Sequence, residues 1–257
     1  GRSGLPASLL GFGCTQVKNK AAFQRALELG VTYFHLSDAD PSPNLVACEA
    51  LRPHRKHLTI TYMSYPKPTK TALLADLDNF LLHSDLGYVD LWFVITPNPE
   101  VLTAFHEALP VAEQAGKIRF AGMSTHNMQR DMDHLTAGDS PLDVVMLTHN
   151  YLSPPEQYEN IARLHQAELG LMPMKPLAGK FYEQSIHRPD ALIRWLAKDE
   201  RMQTIPIIMN TVEQVEQNAA ALQQPFSEAD EQALRQAYAF NSSRFCRMCQ
   251  HCSGKCP

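Results

Sequence analysis

The sequence lacks any apolar run near the roughly 20 residues that a membrane-spanning helix needs, so no span is expected. It also lacks an excess of positive charge: 23 Lys and Arg stand against 27 Asp and Glu, a net charge of −4. With no basic face implied, nucleic acid is not an expected partner. There is no short-period repeat and no low-complexity tract, which argues against a solenoid or a disordered arm. Cysteine is almost absent from the body of the chain, where only Cys14 and Cys48 occur. The chain opens at Gly1 rather than methionine, so a trimmed upstream segment, such as a signal peptide, is expected. The compartment stays open between the cytoplasm and export of the folded protein.

Cysteine instead concentrates at the end. Cys246, Cys249, Cys252 and Cys256 form the run C-x2-C-x2-C-x3-C followed by Pro257. That is the spacing of a bacterial-type iron–sulfur ligand run. Three thiolates two residues apart can each take one corner of a small cube, and the fourth can close it. The expected cofactor is therefore a [4Fe–4S] cluster. Two other chemistries stay open. Structural zinc also uses four cysteines, although usually as two separated C-x2-C pairs. Disulfides are a third reading, but cysteines this crowded rarely reach bridging geometry with one another. In two-cluster ferredoxins the fourth cysteine of such a run serves the other cluster. With only one run here, Cys256 either completes the same cluster or leaves one iron open.

The 257 residues, 44% hydrophobic, suffice for one large core. Short apolar runs alternate with longer segments of helical spacing. The expected strands are Ser8–Gly13, Thr32–His35, His57–Met63, Val89–Ile95, Ile118–Met123, Val144–Thr148, Leu171–Lys175 and Thr204–Ile208. Between them, expected helices begin near Lys18, Asn44, Thr69, Pro99, Met128, Pro155, Pro189 and Val212. Pro110 is expected to kink or break its helix. Strict alternation implies parallel strands with helical crossovers, and eight of them close into an α/β (β/α)8 TIM barrel. Residues 1–225 are assigned to the barrel. Residues 226–257 are assigned to a last helix and the cysteine tail.

In such a barrel the chemistry sits at the C-terminal ends of the strands. These ends carry Cys14, His35, Asp38, Tyr62, Met63, Ile95, Met123 to His126, Thr148 to Asn150, Met174, Lys175 and Ile208 to Asn210. His and Met suit copper or iron, and Asp suits harder ions. A metal at the mouth would draw on His35, Met63 and His149, with Asp38, His126 and Cys14 as further candidates. Each of these residues alone has a bland reading, as a solvated or hydrogen-bonded side chain. His106, His134, His165 and His187 are expected to face solvent, and Trp92 and Trp195 to be packing residues. Lys175 could bind an anion or pair with a buried acid.

Several longer segments resemble the aldo-keto reductase family. They are Leu10-Gly-Phe-Gly-Cys14, Ala26-Leu-Glu-Leu-Gly-Val-Thr-Tyr-Phe34, Asp85-Leu-Gly-Tyr-Val-Asp-Leu-Trp92, Gly116-Lys-Ile-Arg-Phe-Ala-Gly-Met-Ser-Thr-His-Asn127, Met174-Lys-Pro-Leu-Ala-Gly179 and Glu213-Gln-Val-Glu-Gln-Asn218. Gly1 to Leu5 is similar to the family's N-terminal hairpin. A bacterial branch with a C-terminal [4Fe–4S] motif is the most similar, although its last two cysteines are often one residue closer. The resemblance implies hydride transfer from NADPH to a carbonyl, with a tyrosine donating the proton, lysine and aspartate tuning it, and a histidine orienting the substrate. The four positions fall here on His35 for the aspartate, Asp40 for the tyrosine, Met63 for the lysine and Ile95 for the histidine. The catalytic tetrad is therefore expected to be lost. His35 and Asp40 are the remaining candidates for acid or base. On the cofactor side Ser124, Asn150, Gln214 and Asn218 match nucleotide-binding positions. Ile208, Asn210 and Lys180 replace groups that let phosphate approach the backbone, so NADPH is a doubtful cofactor. The expected function is a redox or electron-transfer role through the cluster, with a redox partner protein or a small-molecule ligand. The alternatives are an NADPH-dependent oxidoreductase with altered acid/base residues, and a non-catalytic binding module with a structural cluster.

Overall fold

A computed structural model describes residues 1–38, 41–95, 98–177 and 188–241, with side chains described outside 41–43 and 238–241. Asp40, Lys180, His187 and the four tail cysteines lie outside the described residues. The strands are β1 (Leu10–Gly13), β2 (Tyr33–Ser37), β3 (Thr59–Ser64), β4 (Val89–Ile95), β5 (Ile118–Thr125), β6 (Val144–Thr148), β7 (Gly170–Met174) and β8 (Ile205–Ile208). The described helices are α1 (Lys20–Glu28), α2 (Pro41–Leu51), α3 (Lys70–Ser84), α4 (Pro99–Gln114), α5 (Met128–Leu135), α6 (Pro155–Gln166), α7 (Pro189–Ala197), α8 (Val212–Ala221) and α9 (Glu228–Asn241). A 3-10 helix, Arg52–His57, follows α2 and was not foreseen from the sequence.

All eight strands are parallel, in the order β7-β6-β5-β4-β3-β2-β1-β8. The barrel is nearly closed. Between β7 and β8 a single bridge, Leu171 to Met202, stands in for a ladder. Beside it Gln203 N donates to Leu171 O at 3.0 Å, and Leu171 N donates to Gln203 Oε1 at 2.5 Å.

The helices begin where short polar side chains can satisfy the free N–H groups of the first turn. Asn19, Thr69, Asn98, Asn127 and Thr211 cap α1, α3, α4, α5 and α8 in this way. Helix α3 ends on Asp85 in the left-handed region, φ 53°. The expected break at Pro110 does not occur: α4 runs unbroken through it. A proline inside a helix costs about 3 kcal/mol. Burial of Val101, Ala104, Phe105, Ala108, Leu109 and Ala112 on the opposite face outweighs that, at roughly 1.5–3 kcal/mol for each large side chain. The expected N-terminal hairpin is also absent, since residues 1–8 contain no paired strand. Pro6 has no N–H to donate, and its carbonyl instead accepts from Thr59 Oγ1 at 2.6 Å.

Period-2 alternation along the strands splits the core in two. Outward side chains such as Phe12, Phe34, Trp92 and Leu147 pack with the helices in one large cluster. Tyr33, Met63, Leu91, Phe93, Val144, Met146 and Met172 form a separate cluster that includes no helix residue. These inward residues fill the barrel lumen. Helix α9 is docked rather than free. Asp230 receives Arg194 Nη2 at 2.7 Å and Arg188 Nη2 at 2.7 Å, and Leu234 is fully buried.

The lumen is filled to contact around Gly122. A Cβ added there would lie 1.8 Å from Phe93 Cε1. Gly122→Ala is expected to lower unfolding free energy by about 1–3 kcal/mol, as overpacking does. Adding Phe93→Leu should recover part of the loss. Urea denaturation of the two variants against the parent checks both outcomes.

Candidate active site at the barrel mouth

His35 lies inside the lumen on β2 and is 6% exposed. Its position follows from alternation: Tyr33 and His35 project to the same side of the strand. The ring sits edge-on to Phe93, with centroids 5.9 Å apart. Nδ1 is 3.1 Å from Tyr33 Oη, which is in turn 2.8 Å from Thr61 Oγ1. Nε2 is buried and has no hydrogen-bond partner among the described residues. Burial pushes the imidazole down to about 4, so it is neutral at pH 7. A neutral His35 can accept a proton or a metal through a lone pair, but it supplies no imidazolium acid at that pH. Sequence reading missed Tyr33 and Thr61, although the pattern Tyr33-x-His35 already placed both rings on one face.

Among the described residues, Met63 near the end of β3 and Ile95 at the end of β4 offer no replacement acid. Met63 is buried in the lumen cluster, and Ile95 packs against it. Ser124 is buried on β5, and its hydroxyl points at Met174 Sδ, 3.8 Å away. Thus the positions expected for the family's aspartate, lysine and histidine bring together an imidazole, a thioether and an aliphatic side chain.

Other candidates are not brought to this group. His149 follows inward-facing Thr148 and therefore turns outward. It packs against Tyr158 of α6 and Trp195 of α7, with centroids 5.5 and 5.2 Å away, and its Nδ1 is 3.2 Å from Ser153 Oγ. Burial pushes it down to about 4 as well. The expected metal set of His35, Met63 and His149 is therefore corrected to exclude His149, because strand alternation places it on the other side of the barrel wall. Cys14 also belongs to the outer core, where burial raises its thiol pKa. Asp38 is claimed by Lys67, at 2.7 Å. Lys67 and the Tyr62 and Ser64 hydroxyls also contact Asp76, at 3.7, 3.2 and 2.6 Å. Burial raises the Asp76 pKa. This network borders a rim cavity of about 380 Å³ beside Phe80 and Asn79.

Two of the nucleotide-binding candidates spend their amides within the chain. Asn150 Nδ2 donates to Lys175 O at 3.1 Å, and its Oδ1 accepts from Leu152 N at 2.9 Å. Gln214 closes a capping box with Thr211, its Oε1 accepting from Asn210 N at 2.7 Å. Asn218 is buried on α8. Ile208 is 51% exposed at the mouth and would meet a Cβ built on Gly13 at 3.0 Å. His106 and His134 do not face solvent as expected. Their rings stack at 4.8 Å between α4 and α5, and both Nε2 atoms are buried. His165 is exposed.

The family model described as the aldo/keto reductase family matches residues 13–193. The chain belongs to the aldo/keto reductase family. It is similar to the L-glyceraldehyde 3-phosphate reductase of Escherichia coli strain K12, 25% identical over 299 residues, covering 86% of each chain. Among solved structures, an aldo-keto reductase from Klebsiella pneumoniae in complex with NADPH superposes with a TM-score of 0.79. It is 22% identical and covers 90% of this chain and 91% of its own. A holo-form aldo-keto reductase from Bacillus halodurans gives a TM-score of 0.73 at 16% identity, over 91% of this chain and 93% of its own. This family member keeps the barrel and carries His35 within β2, Met63 near the end of β3 and Ile95 at the end of β4.

A folded-state imidazole pKa below the ordinary value stabilises the fold at pH above 6.5, and that stabilisation is lost as pH falls toward 4. His35 alone should contribute up to roughly 3 kcal/mol of this acid sensitivity. Unfolding free energy measured from pH 7 down to pH 4 should therefore fall less steeply in His35→Phe than in the parent. Parallel curves would show that His35 is not held neutral.

Proposed function

We propose that this aldo/keto reductase family member is a redox protein that works through a [4Fe–4S] cluster on Cys246, Cys249, Cys252 and Cys256, and that it is not a standard NADPH-dependent carbonyl reductase. The observation that carries the proposal is the C-x2-C-x2-C-x3-C spacing, which supplies four thiolates for four irons. When bound, such a cluster accepts and returns single electrons. The donor or acceptor is then a one-electron redox protein or a small ligand, rather than a hydride carrier.

The barrel supports the negative half. Carbonyl reduction needs a proton donor beside the hydride acceptor. Among the described residues at the ends of β2, β3 and β4, His35 is neutral, Met63 has no proton to give, and Ile95 is aliphatic. The groups that would grip a nicotinamide nucleotide also fit poorly. The amide of Asn150 and the amide oxygen of Gln214 are committed to backbone groups, and Ile208 stands where phosphate binding calls for a small residue. A second reading, NADPH oxidation with altered acid/base groups, draws on buried Ser124 and Asn218, which keep family positions.

Anaerobically purified protein should contain about four irons and about four acid-labile sulfides per chain. Its visible absorbance should bleach with dithionite and be lost in Cys249→Ser. Colourless, zinc-loaded protein would overturn the cluster. Titration with NADPH should leave its fluorescence unquenched, and brisk NADPH-dependent reduction of a simple aldehyde would overturn the negative half.

A further inference from the structure

We propose that the barrel lumen binds a soft monovalent metal ion of the Cu(I) class through His35 Nε2 and the thioether of Met63. The starting observation is a buried polar atom in the barrel lumen. Nε2 of His35 is buried without a hydrogen-bond partner among the described residues, on a residue 6% exposed. Leaving a buried polar atom unpaired costs about 1–3 kcal/mol, and such atoms call for an explanation. The other ring nitrogen is held, with Nδ1 at 3.1 Å from Tyr33 Oη and Tyr33 Oη at 2.8 Å from Thr61 Oγ1. With Nδ1–H donating to Tyr33 Oη, and Tyr33 O–H donating on to Thr61 Oγ1, the ring is oriented and the Nε2 lone pair is free for the ion. Metal-binding imidazoles are oriented this way.

The surroundings select the ion. Register pairs His35 with Thr61 and Ser37 with Met63, so inward-facing Met63 lies one step nearer the mouth on the adjacent strand. Met63 belongs to the same lumen cluster as Tyr33 and Phe93, the rings that flank His35. Met146, Met172 and Met174 add further thioethers to that lumen. Among the described residues no group of three His, Cys, Asp or Glu comes together, so a set suited to zinc or a hard ion is missing there. Thioether and imidazole are soft, uncharged ligands. In an apolar lumen they accommodate one positive charge far better than two, because every uncompensated charge adds to the desolvation cost.

Silver(I), a redox-silent stand-in for Cu(I), tests this on the full chain with labelled methionine methyls and imidazole nitrogens, followed by NMR. The tail thiols will also take silver, but the readout is resolved by residue. The experiment is repeated with all four tail cysteines changed to serine. The Met63 methyl and the His35 Nε2 resonance should shift together and saturate at a single ion. His35→Gln should abolish the Met63 shift. Met63→Leu, close in volume, should weaken the His35 shift, and Tyr33→Phe should weaken silver binding roughly 10–100-fold. If both resonances stay still once the tail is saturated, the proposal fails. It also fails if the Met63 shift survives in His35→Gln, or if silver reports on Cys14 or Cys48 instead. Should His35→Gln not fold, the parent spectra and Met63→Leu still decide.

Discussion

Phe93 lies across the bare backbone of Gly122, and this contact makes the lumen solid. A parallel barrel has to fill its own interior with side chains from alternate strand positions. Here large rings and thioethers do so, opposite glycines and threonines. Everything at the mouth rests on that apolar floor. The floor explains why His35 is neutral and why Met63 can occupy a position where a charged lysine would need a partner. It also means that any chemistry on these residues proceeds through lone pairs and soft atoms.

Charge is kept on the outer layer. Asp90, nearly fully buried, is met by Arg55 at 2.9 Å and by Arg119 at 2.9 Å, and also accepts from Ile60 N. Asp230 is met by Arg188 and Arg194. Asp38 and Asp76 share Lys67. Buried carboxylates need such partners, because an unpaired charge is far costlier than a paired one. These pairs tie helix to helix and strand to strand around the wall. The pair at Asp230 matters most for the tail, because it fastens α9, the helix that runs toward the cysteines, to α7.

Much of this was legible in the chain. Apolar runs such as Leu91–Ile95 gave the strands to within a residue or two, because strands covered on both faces show little polar alternation to blur them. The motif alignment set His35, Met63 and Ile95 at the positions expected for the family's aspartate, lysine and histidine, and the structure puts these residues on β2, β3 and β4. What failed to read out were facts of direction. His149 looked like a mouth residue, yet one step of alternation sends it outward to Trp195. His106 and His134 looked like surface residues, but they are half-buried and their rings stack on one another across α4 and α5. Pro110 looked like a breaker, and a buried apolar face overrode it. The Asp38–Lys67–Asp76 network joins residues far apart in sequence, and no local spacing announces it.

The join between β7 and β8 behaves as a clasp rather than a weld. Around the rest of the wall, neighbouring strands share ladders of backbone bonds, whereas here one bridge and the carboxamide of Gln203 hold the two edges. A cylinder fastened at one point gives way along that line before it gives way elsewhere. Opening of the barrel is therefore expected first along this join, away from β2 and β3, which carry Tyr33, His35 and Met63.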